Sequence, residues 1–512
     1  MRILTRATGG SALARAALAG ELDQWYGHRL RGATEWREAA ARTASSFSGG
    51  AWLDALLPAF KPTGVAAARL EAVARNGGIV VTGGQQPGLF GGPLYVLYKA
   101  ITLRELAAQL ESATGLPVAP VFWAATDDAD FVEASHVSTI DGGRLETLTM
   151  RAPAVVGQSM AATPLGDVSD LLERLAKACA PVVDARALDA VRNAYGINAT
   201  VGSAYVALLR DLLQPLGVAV LDASHECVRQ AGEATMRRAL ERAEPIALAL
   251  RERTRAIGDG GFRAQVADVP NLSLVFETLD DGTRRRVPVA DAARVAEQVP
   301  AARLGPNVLL RPIMERQILP TVTYVGGPGE VGYFAQVSAV ADVMELPQPR
   351  IVPRWSGTVL EPEVETIMRD LSVGVEDFVD PHAVETRVAR AGVSDSVKDA
   401  LEALRRATGT AAAALRADAQ TSPALDRSIG SMQAGVQHRL ARLERRYAAA
   451  IKQQGSPQLR DVSHARSSLY PNGAAQERVL GWVPFLSRYG AELIDGAGDA
   501  AREHAKHVIA GG

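Results

Sequence analysis

Short, unbroken apolar runs recur along the chain, and several end in glycines or acids. The first, Gly78-Ile79-Val80-Val81-Thr82, has the continuous burial pattern of a parallel-sheet strand rather than the alternation of a half-exposed one. It leads into Gly83-Gly84-Gln85-Gln86-Pro87-Gly88-Leu89-Phe90-Gly91-Gly92-Pro93. From Leu94 to about Leu110 the period becomes helical, with Leu94, Leu97, Ile101, Glu105 and Ala108 near one face. A second run, Val118 to Ala125, ends in Thr126-Asp127-Asp128-Ala129-Asp130. Strand, glycine-rich turn, helix and strand make a βαβ unit, which requires a right-handed crossover and a parallel sheet. Further strands are predicted at Leu216–Asp222, Asn307–Arg311, Thr321–Val325 and Arg350–Arg354, with Gly326-Gly327-Pro328-Gly329-Glu330 opening a helix to about Leu346. The predicted class is α/β with a parallel-sheet core.

Other stretches differ in character. Residues 1 to about 75 read as helices carrying Trp25, Trp36 and Trp52. Residues 136–205 and 226–300 alternate between extended and helical patterns around turns such as Asp141-Gly142-Gly143 and Asp280-Asp281-Gly282, as an insertion would. Between about 383 and 452 the apolar positions Val397, Leu401, Leu404, Ala411 and Leu415 keep a coiled-coil spacing, with Thr408 weak among them. Ser422-Pro423 supplies an N-cap and first-turn proline. A second stripe follows: Leu425, Ile429, Met432, Val436, Leu440, Leu443, Tyr447 and Ile451. Its period lies nearer 3.7 than 3.5, so this helix should be straight or slightly right-handed. The expected organisation is a core in two parts, 1–135 and 301–375, around an insertion at 136–300 that holds a returning core strand near 216–222. An antiparallel helical hairpin at 376–455 and a C-terminal segment at 456–512, packed on the core, complete it.

Composition narrows the partners. The 512 residues carry 55 basic and 57 acidic side chains, and this near-neutral balance disfavours nucleic acid as a partner. With Cys179 and Cys227 the only cysteines, a disulfide scaffold is excluded and a reducing compartment expected. The N-terminal alanine-rich stretch is broken by Arg2, Arg6 and Arg15, and no apolar run reaches the roughly 18 residues of a membrane helix. The expectation is a cytoplasmic protein with no signal peptide and no membrane partner. Only six lysines occur, and Lys99 alone sits beside the first glycine-rich turn.

Three segments are candidates for chemistry. Gly84, Gln85, Gly88, Gly91 and Gly92 stand where an open α/β sheet places its ligands, yet the turn is neither GxGxxG nor GxxxxGK[ST]. Asp128 ends the second strand, with Asp127, Asp130, Glu133 and His136 nearby, where carboxylates could bind a metal, orient an amine or act as a base. No metal-ligand set is assigned. Tyr324, Gly326, Gly327 and Glu330 form a second glycine-rich strand-to-helix turn, suited to a ring or sugar against the backbone and to hydroxyls or an ammonium at the carboxylate. Arg354 follows the last strand beside hydroxyls and is a candidate for stabilising a leaving phosphate. Neither cysteine has the basic or helix-start surroundings of a nucleophile.

The segments Val81–Tyr95 with Lys99-Ala100, Pro120-Val121-Phe122-Trp123, Asn307–Pro312, Leu319-Pro320 and Tyr324–Glu330 resemble the cysteine ligase BshC family of bacillithiol biosynthesis. So do Tyr333-Phe334-Ala335-Gln336, Pro353-Arg354, Tyr470-Pro471-Asn472-Gly473 and Gln476–Leu480. The resemblance implies a Rossmann-like core related to class I aminoacyl-tRNA synthetases, a connective insertion, and a coiled-coil domain that forms a homodimer. It also implies a ligase joining L-cysteine to the amine of glucosaminyl-malate. A free carboxylate must be activated to do this, so ATP or ADP is the expected nucleotide, held between the two glycine turns. In that scheme Asp128 orients the cysteine ammonium or acts as base, Arg354 stabilises the leaving phosphate, and Gln86 is counted with the catalytic residues. Lys99 and His136 are expected among the binding residues. The family's acidic strand end usually carries a histidine where this chain has Ala129. A lysine-rich loop of the synthetase kind is also missing, since no lysine occurs between Lys177 and Lys398. Two alternatives remain: an enzyme activating another small carboxylic acid, and a nucleotide-binding scaffold of a thiol pathway.

Overall fold

The computed structural model describes residues 1–47, 49–380, 382–418 and 422–511. Its described residues form two compact units: one of residues 1–139, 146–359 and 477–512, the other of 140–145 and 360–476. The sequence suggested 376–455 for the helical hairpin and placed 456–512 on the core.

The larger unit is built on β1 (Ile79–Gln85), β2 (Val118–Ala124), β3 (Ala219–Asp222), β4 (Leu272–Thr278), β5 (Arg284–Pro288), β6 (Leu304–Pro306), β7 (Thr321–Gly326) and β8 (Arg350–Pro353). Five of these make one sheet in the order β8-β7-β1-β2-β3, and every neighbouring pair is parallel. Counted along the chain as core strands, the order is 3-2-1-4-5 read from β3, the doubly wound Rossmann-like arrangement. In such a sheet the connections reverse direction beside the first strand, here between β1 and β7. Their carboxyl ends diverge there and leave a crevice.

The apolar runs explain the sheet. Every residue of β2 is buried, as is β1 up to Gly84, so helices cover both faces. The helix α1 (Leu94–Thr114) follows β1 and is closed by Gly115 in the left-handed region. The two further helices α2 (Arg311–Ile318) and α3 (Pro328–Met344) flank β7. The insertion contributes a separate antiparallel sheet in the order β5-β4-β6.

One predicted core strand is absent. Asn307–Leu310 forms a turn after β6 and Arg311 opens α2, because the Asn307 side-chain oxygen accepts from the N–H groups of Leu309 and Leu310 at 3.1 and 3.0 Å. Pro312 then sits in the first turn of α2. Leu309 and Leu310 are buried all the same, so the apolar run marked burial rather than extension.

In the smaller unit, α4 (Asp395–Arg416) and α5 (Pro423–Gln454) run antiparallel, with Arg405 paired to Glu444 at 2.7 Å and Arg416 to Asp426 at 2.8 Å. The connection at 419–421 lies outside the described residues. Ser422 caps α5 through the Leu425 N–H, as its sequence suggested. The predicted stripes are buried only in part. Leu401, Ile429 and Leu440 of them are buried, together with Ala412 and Ala448 outside them, whereas Leu404, Leu415, Leu425, Met432, Leu443 and Tyr447 are exposed. Among the described residues, no helix is long and apolar enough to cross a membrane.

Candidate functional site

At the crevice between β1 and β7 lies a cavity of about 760 Å³. Its floor is a buried polar network. Lys99 of α1 is almost fully buried and donates to the Gly84 carbonyl at 2.5 Å, the Gln85 side-chain oxygen at 3.3 Å and Glu330 Oε2 at 2.7 Å. Glu330, three residues into α3, turns back to accept from the Gly327 N–H on Oε2 at 2.6 Å and accepts from the Tyr324 hydroxyl on Oε1 at 2.5 Å. The Tyr324 oxygen in turn accepts from the Gly84 N–H at 3.3 Å and from Arg311 Nη2 at 3.0 Å. Arg311 also donates to the Tyr333 hydroxyl at 3.0 Å and pairs with Glu315 at 3.1 Å, and Thr82 donates to the other oxygen of Glu315. The network ties together the helices that follow the two strands flanking the crevice.

Burial opposes every charge in this network, and the pairing decides the outcome. Despite the desolvation, Lys99 and the Gly327 N–H hold Glu330 below the usual carboxylate range. Lys99 is less basic than a free lysine because burial outweighs its attraction to Glu330. Glu315 is pushed up to about 7 by burial, against the pull of Arg311 and Thr82.

The walls differ in chemistry. On the β2 side, Asp128 Oδ1 accepts from the Asp130 N–H at 2.8 Å, and Oδ2 has no hydrogen-bond partner among the described residues. Burial raises its carboxyl above the ordinary value, and Asp127 and Asp130 add to the effect. Glu133 beside it is raised by burial and by Asp130 and Asp128, and it shares a hydrogen bond with Gln86. The antiparallel sheet adds Phe276, Arg284 and Arg286 to the lining. Arg284 stacks on Phe276 at 4.4 Å and is drawn to Asp127 at 3.5 Å.

Two models of the bacillithiol biosynthesis BshC family match the chain, the N-terminal Rossmann-like domain over residues 17–355 and the C-terminal coiled-coil domain over residues 357–509. The chain belongs to the BshC family. It is 30% identical over 487 residues to a protein of Solibacter usitatus (strain Ellin6076) named "Putative cysteine ligase BshC", covering 92% of this chain and 90% of the relative. A protein of the same name from Geobacillus kaustophilus (strain HTA426) is 27% identical over 456 residues, covering 84% and 83%.

The cavity gathers Gly84, Gln85, Gln86, Lys99, Asp128, Gly327, Glu330 and Arg354 from the residues singled out by sequence. The other candidates lie elsewhere. Gly88, Gly91 and Gly92 are packed inside the turn: a Cβ at Gly91 would lie 2.6 Å from the Trp482 indole nitrogen, and one at Gly88 2.8 Å from the Gly92 Cα. Gly84 has a strand reason as well as a place in the cavity, since a Cβ there would meet the Trp123 carbonyl oxygen at 2.4 Å. The N–H groups of Gly84, Gly91, Gly92 and Gly327 all have internal acceptors. Tyr324 and Gly326 are buried beneath the cavity. His136 is exposed and turns its ring to the Val132 carbonyl at 2.9 Å. Arg354 lines the cavity without being a free cation. Its guanidinium is 2% exposed as a residue, pairs with both Glu477 oxygens at 2.5 and 3.1 Å, and lies over the Tyr95 ring.

Sequence reasoning missed Arg286, Arg311, Tyr95, Tyr333 and Arg478, which share this cavity. A basic residue on an insertion strand carries no signal of facing a distant crevice, whereas the alternation of Arg284 and Arg286 could have placed both on one face. The two cysteines lie outside the cavity, and burial raises both thiols. No group of three or more candidate metal ligands occurs among the described residues.

Proposed function

We propose that this protein joins the carboxyl group of L-cysteine to the amine of glucosaminyl-malate, forming bacillithiol in the cytoplasm. The reading rests on family membership together with one observation: a carboxylate with an unpartnered oxygen, Asp128, faces a crevice at the sheet's switch point. Amide formation needs a neutral amine. The Asp128 Oδ2 atom takes the proton as the amine nitrogen attacks the activated cysteine carbonyl, the new C–N bond forms, and the bond to the leaving oxygen breaks. Burial raises the affinity of Asp128 for that proton.

Activation of the carboxyl is assigned to ATP as co-substrate. The Gly83–Pro93 turn fits it poorly, because the N–H groups named above are engaged inside the fold. Arg354 is held by Glu477. Arg478 fits better: it lines the cavity, and its guanidinium has no hydrogen bond or ion pair among the described residues. It replaces Arg354 here as the group that meets the leaving oxyanion.

We assign the exposed stripe Leu404, Leu415, Leu425, Met432, Leu443 and Tyr447 to a homodimer through the coiled coil. The test of function is incubation of the purified protein with glucosaminyl-malate and cysteine, with and without ATP, read by mass spectrometry. Bacillithiol is expected with ATP. A folded protein giving none under every nucleotide condition overturns the reading.

A further inference from the structure

Six cationic side chains line the cavity among the described residues, and four are engaged: Lys99 with Glu330, Arg284 with Asp127, Arg311 with Glu315 and Arg354 with Glu477. Arg478 has been placed above. The sixth, Arg286 on β5, is held differently. Its Nε donates to the carbonyl of buried Ser273 at 2.7 Å, which fixes the plane of the fork, while both Nη atoms have no partner among the described residues. It is half-buried, and Asp268 attracts it without forming an ion pair among the described residues. A guanidinium drawn out of water without an anion is unfavourable, and its planar pair of donors matches an oxyanion.

Two other polar groups of the same lining agree. Across β4, Asn307 uses its side-chain oxygen on the Leu309 and Leu310 N–H groups, which leaves its NH2 free to donate. Tyr333 accepts from Arg311, so its own O–H proton is available. All three residues line the cavity, and each has a donor to offer it. The β2 side offers acceptors, Asp128 and Glu133. A cavity that offers both unpaired donors and carboxylates suits a molecule carrying an oxyanion and an amine.

We propose that Arg286 and Asn307, with the Tyr333 hydroxyl, form the oxyanion subsite of this cavity and take the carboxylate end of the amine-bearing substrate. The inference rests on the function proposed above, in which that substrate ends in a dicarboxylate. The bidentate fork favours a carboxylate, and a phosphate of the nucleotide is the competing source of the same chemistry.

Binding of L-malate, inorganic phosphate and ATP to the full chain, followed by calorimetry, separates these sources. L-malate is expected to bind the wild type, to bind Arg286→Gln at least tenfold more weakly, and to recover partly with Arg286→Lys. ATP affinity should stay within twofold in both variants. Malate affinity unchanged in Arg286→Gln, or no malate binding at 10-fold the concentration that saturates ATP, overturns the proposal. So does a loss confined to phosphate and ATP, which would give Arg286 to the nucleotide. Should Arg286→Gln lose folded structure by circular dichroism, Asn307→Asp is read instead, since a carboxylate there repels malate and is expected to weaken it tenfold. Arg286-dependent malate binding by a protein that makes no bacillithiol sinks the ligase reading and leaves the subsite standing. Bacillithiol synthesis with malate binding indifferent to Arg286 does the reverse.

Discussion

Glu330→Gln tests the fastener across the crevice. The substitution keeps the shape of the side chain but leaves one acceptor oxygen where the carboxylate uses two, Oε1 for the Tyr324 hydroxyl and Oε2 for the Gly327 N–H, and it removes the anion 2.7 Å from Lys99. Lys99 is almost completely buried, and its remaining acceptors are the Gly84 carbonyl and the Gln85 amide oxygen. Breaking a buried pair by deleting one partner costs about 3–5 kcal/mol, and the retained hydrogen bonds place this case near ~3 kcal/mol. Lys99 is already less basic than a free lysine. Without Glu330 it becomes less basic still and is buried in its neutral form. Its folded value then lies further below the unfolded one, so the unfolded state binds the extra proton and the variant gains stability as the pH rises from 7 toward 10. Urea unfolding at pH 7 and pH 9.5 reads both effects. The double variant Lys99→Met/Glu330→Gln should be about 2 kcal/mol more stable than additivity of the single changes allows. A cost below about 1 kcal/mol for Glu330→Gln, or strict additivity in the double variant, would refute the account of the network.

Three other expectations follow from the same structure. Asp128→Asn should lower the turnover number by about 10²–10⁴ with folding intact and abolish the acid limb of the pH–rate profile; a loss confined to KM would remove the base role. Glu315 titrates at about 7 when folded, against 4.5 in the unfolded chain. The folded state therefore binds more protons between those values, and stability falls by roughly 3 kcal/mol as pH rises through that window. Glu315→Gln should flatten this slope in urea unfolding at pH 5 and pH 8, and an unchanged slope would contradict the assignment. Leu443→Glu, on the exposed face of α5, should convert a dimer to a monomer in analytical ultracentrifugation with helicity retained; a variant that stays dimeric contradicts the proposed interface.

The sheet was legible because a strand buried on both faces leaves a run without polar interruption, as in Val118–Ala124. Glycine-rich turns after such runs marked the crevice, and Asp128 and Glu330 stood at their expected places beside it. The run at Asn307–Arg311 misled because buried leucines look alike in a strand and in a capped turn; the Asn307 side chain decides, through bonds to residues only two and three positions on. The glycines of the first turn were half misread. They answer to close approach of Trp482 and Trp123 as much as to a ligand, and contacts across 391 residues leave no local trace. The engagement of Arg354 by Glu477, 123 residues away, was hidden for the same reason. In the coiled coil the stripes hold the buried Leu401, Ile429 and Leu440, but they run wider than the buried seam, since a two-helix hairpin covers only part of each apolar face.

The central claim is that the crevice between β1 and β7 is where the cysteine amide is made. A structure determined with glucosaminyl-malate and a non-reactive cysteine analogue bound tests it most directly. The account predicts the acceptor amine within about 3 Å of Asp128 Oδ2, as a proton transfer requires. Both ligands seated elsewhere, for instance in the cavity lined by Arg151, Asp167 and Arg174, would contradict it.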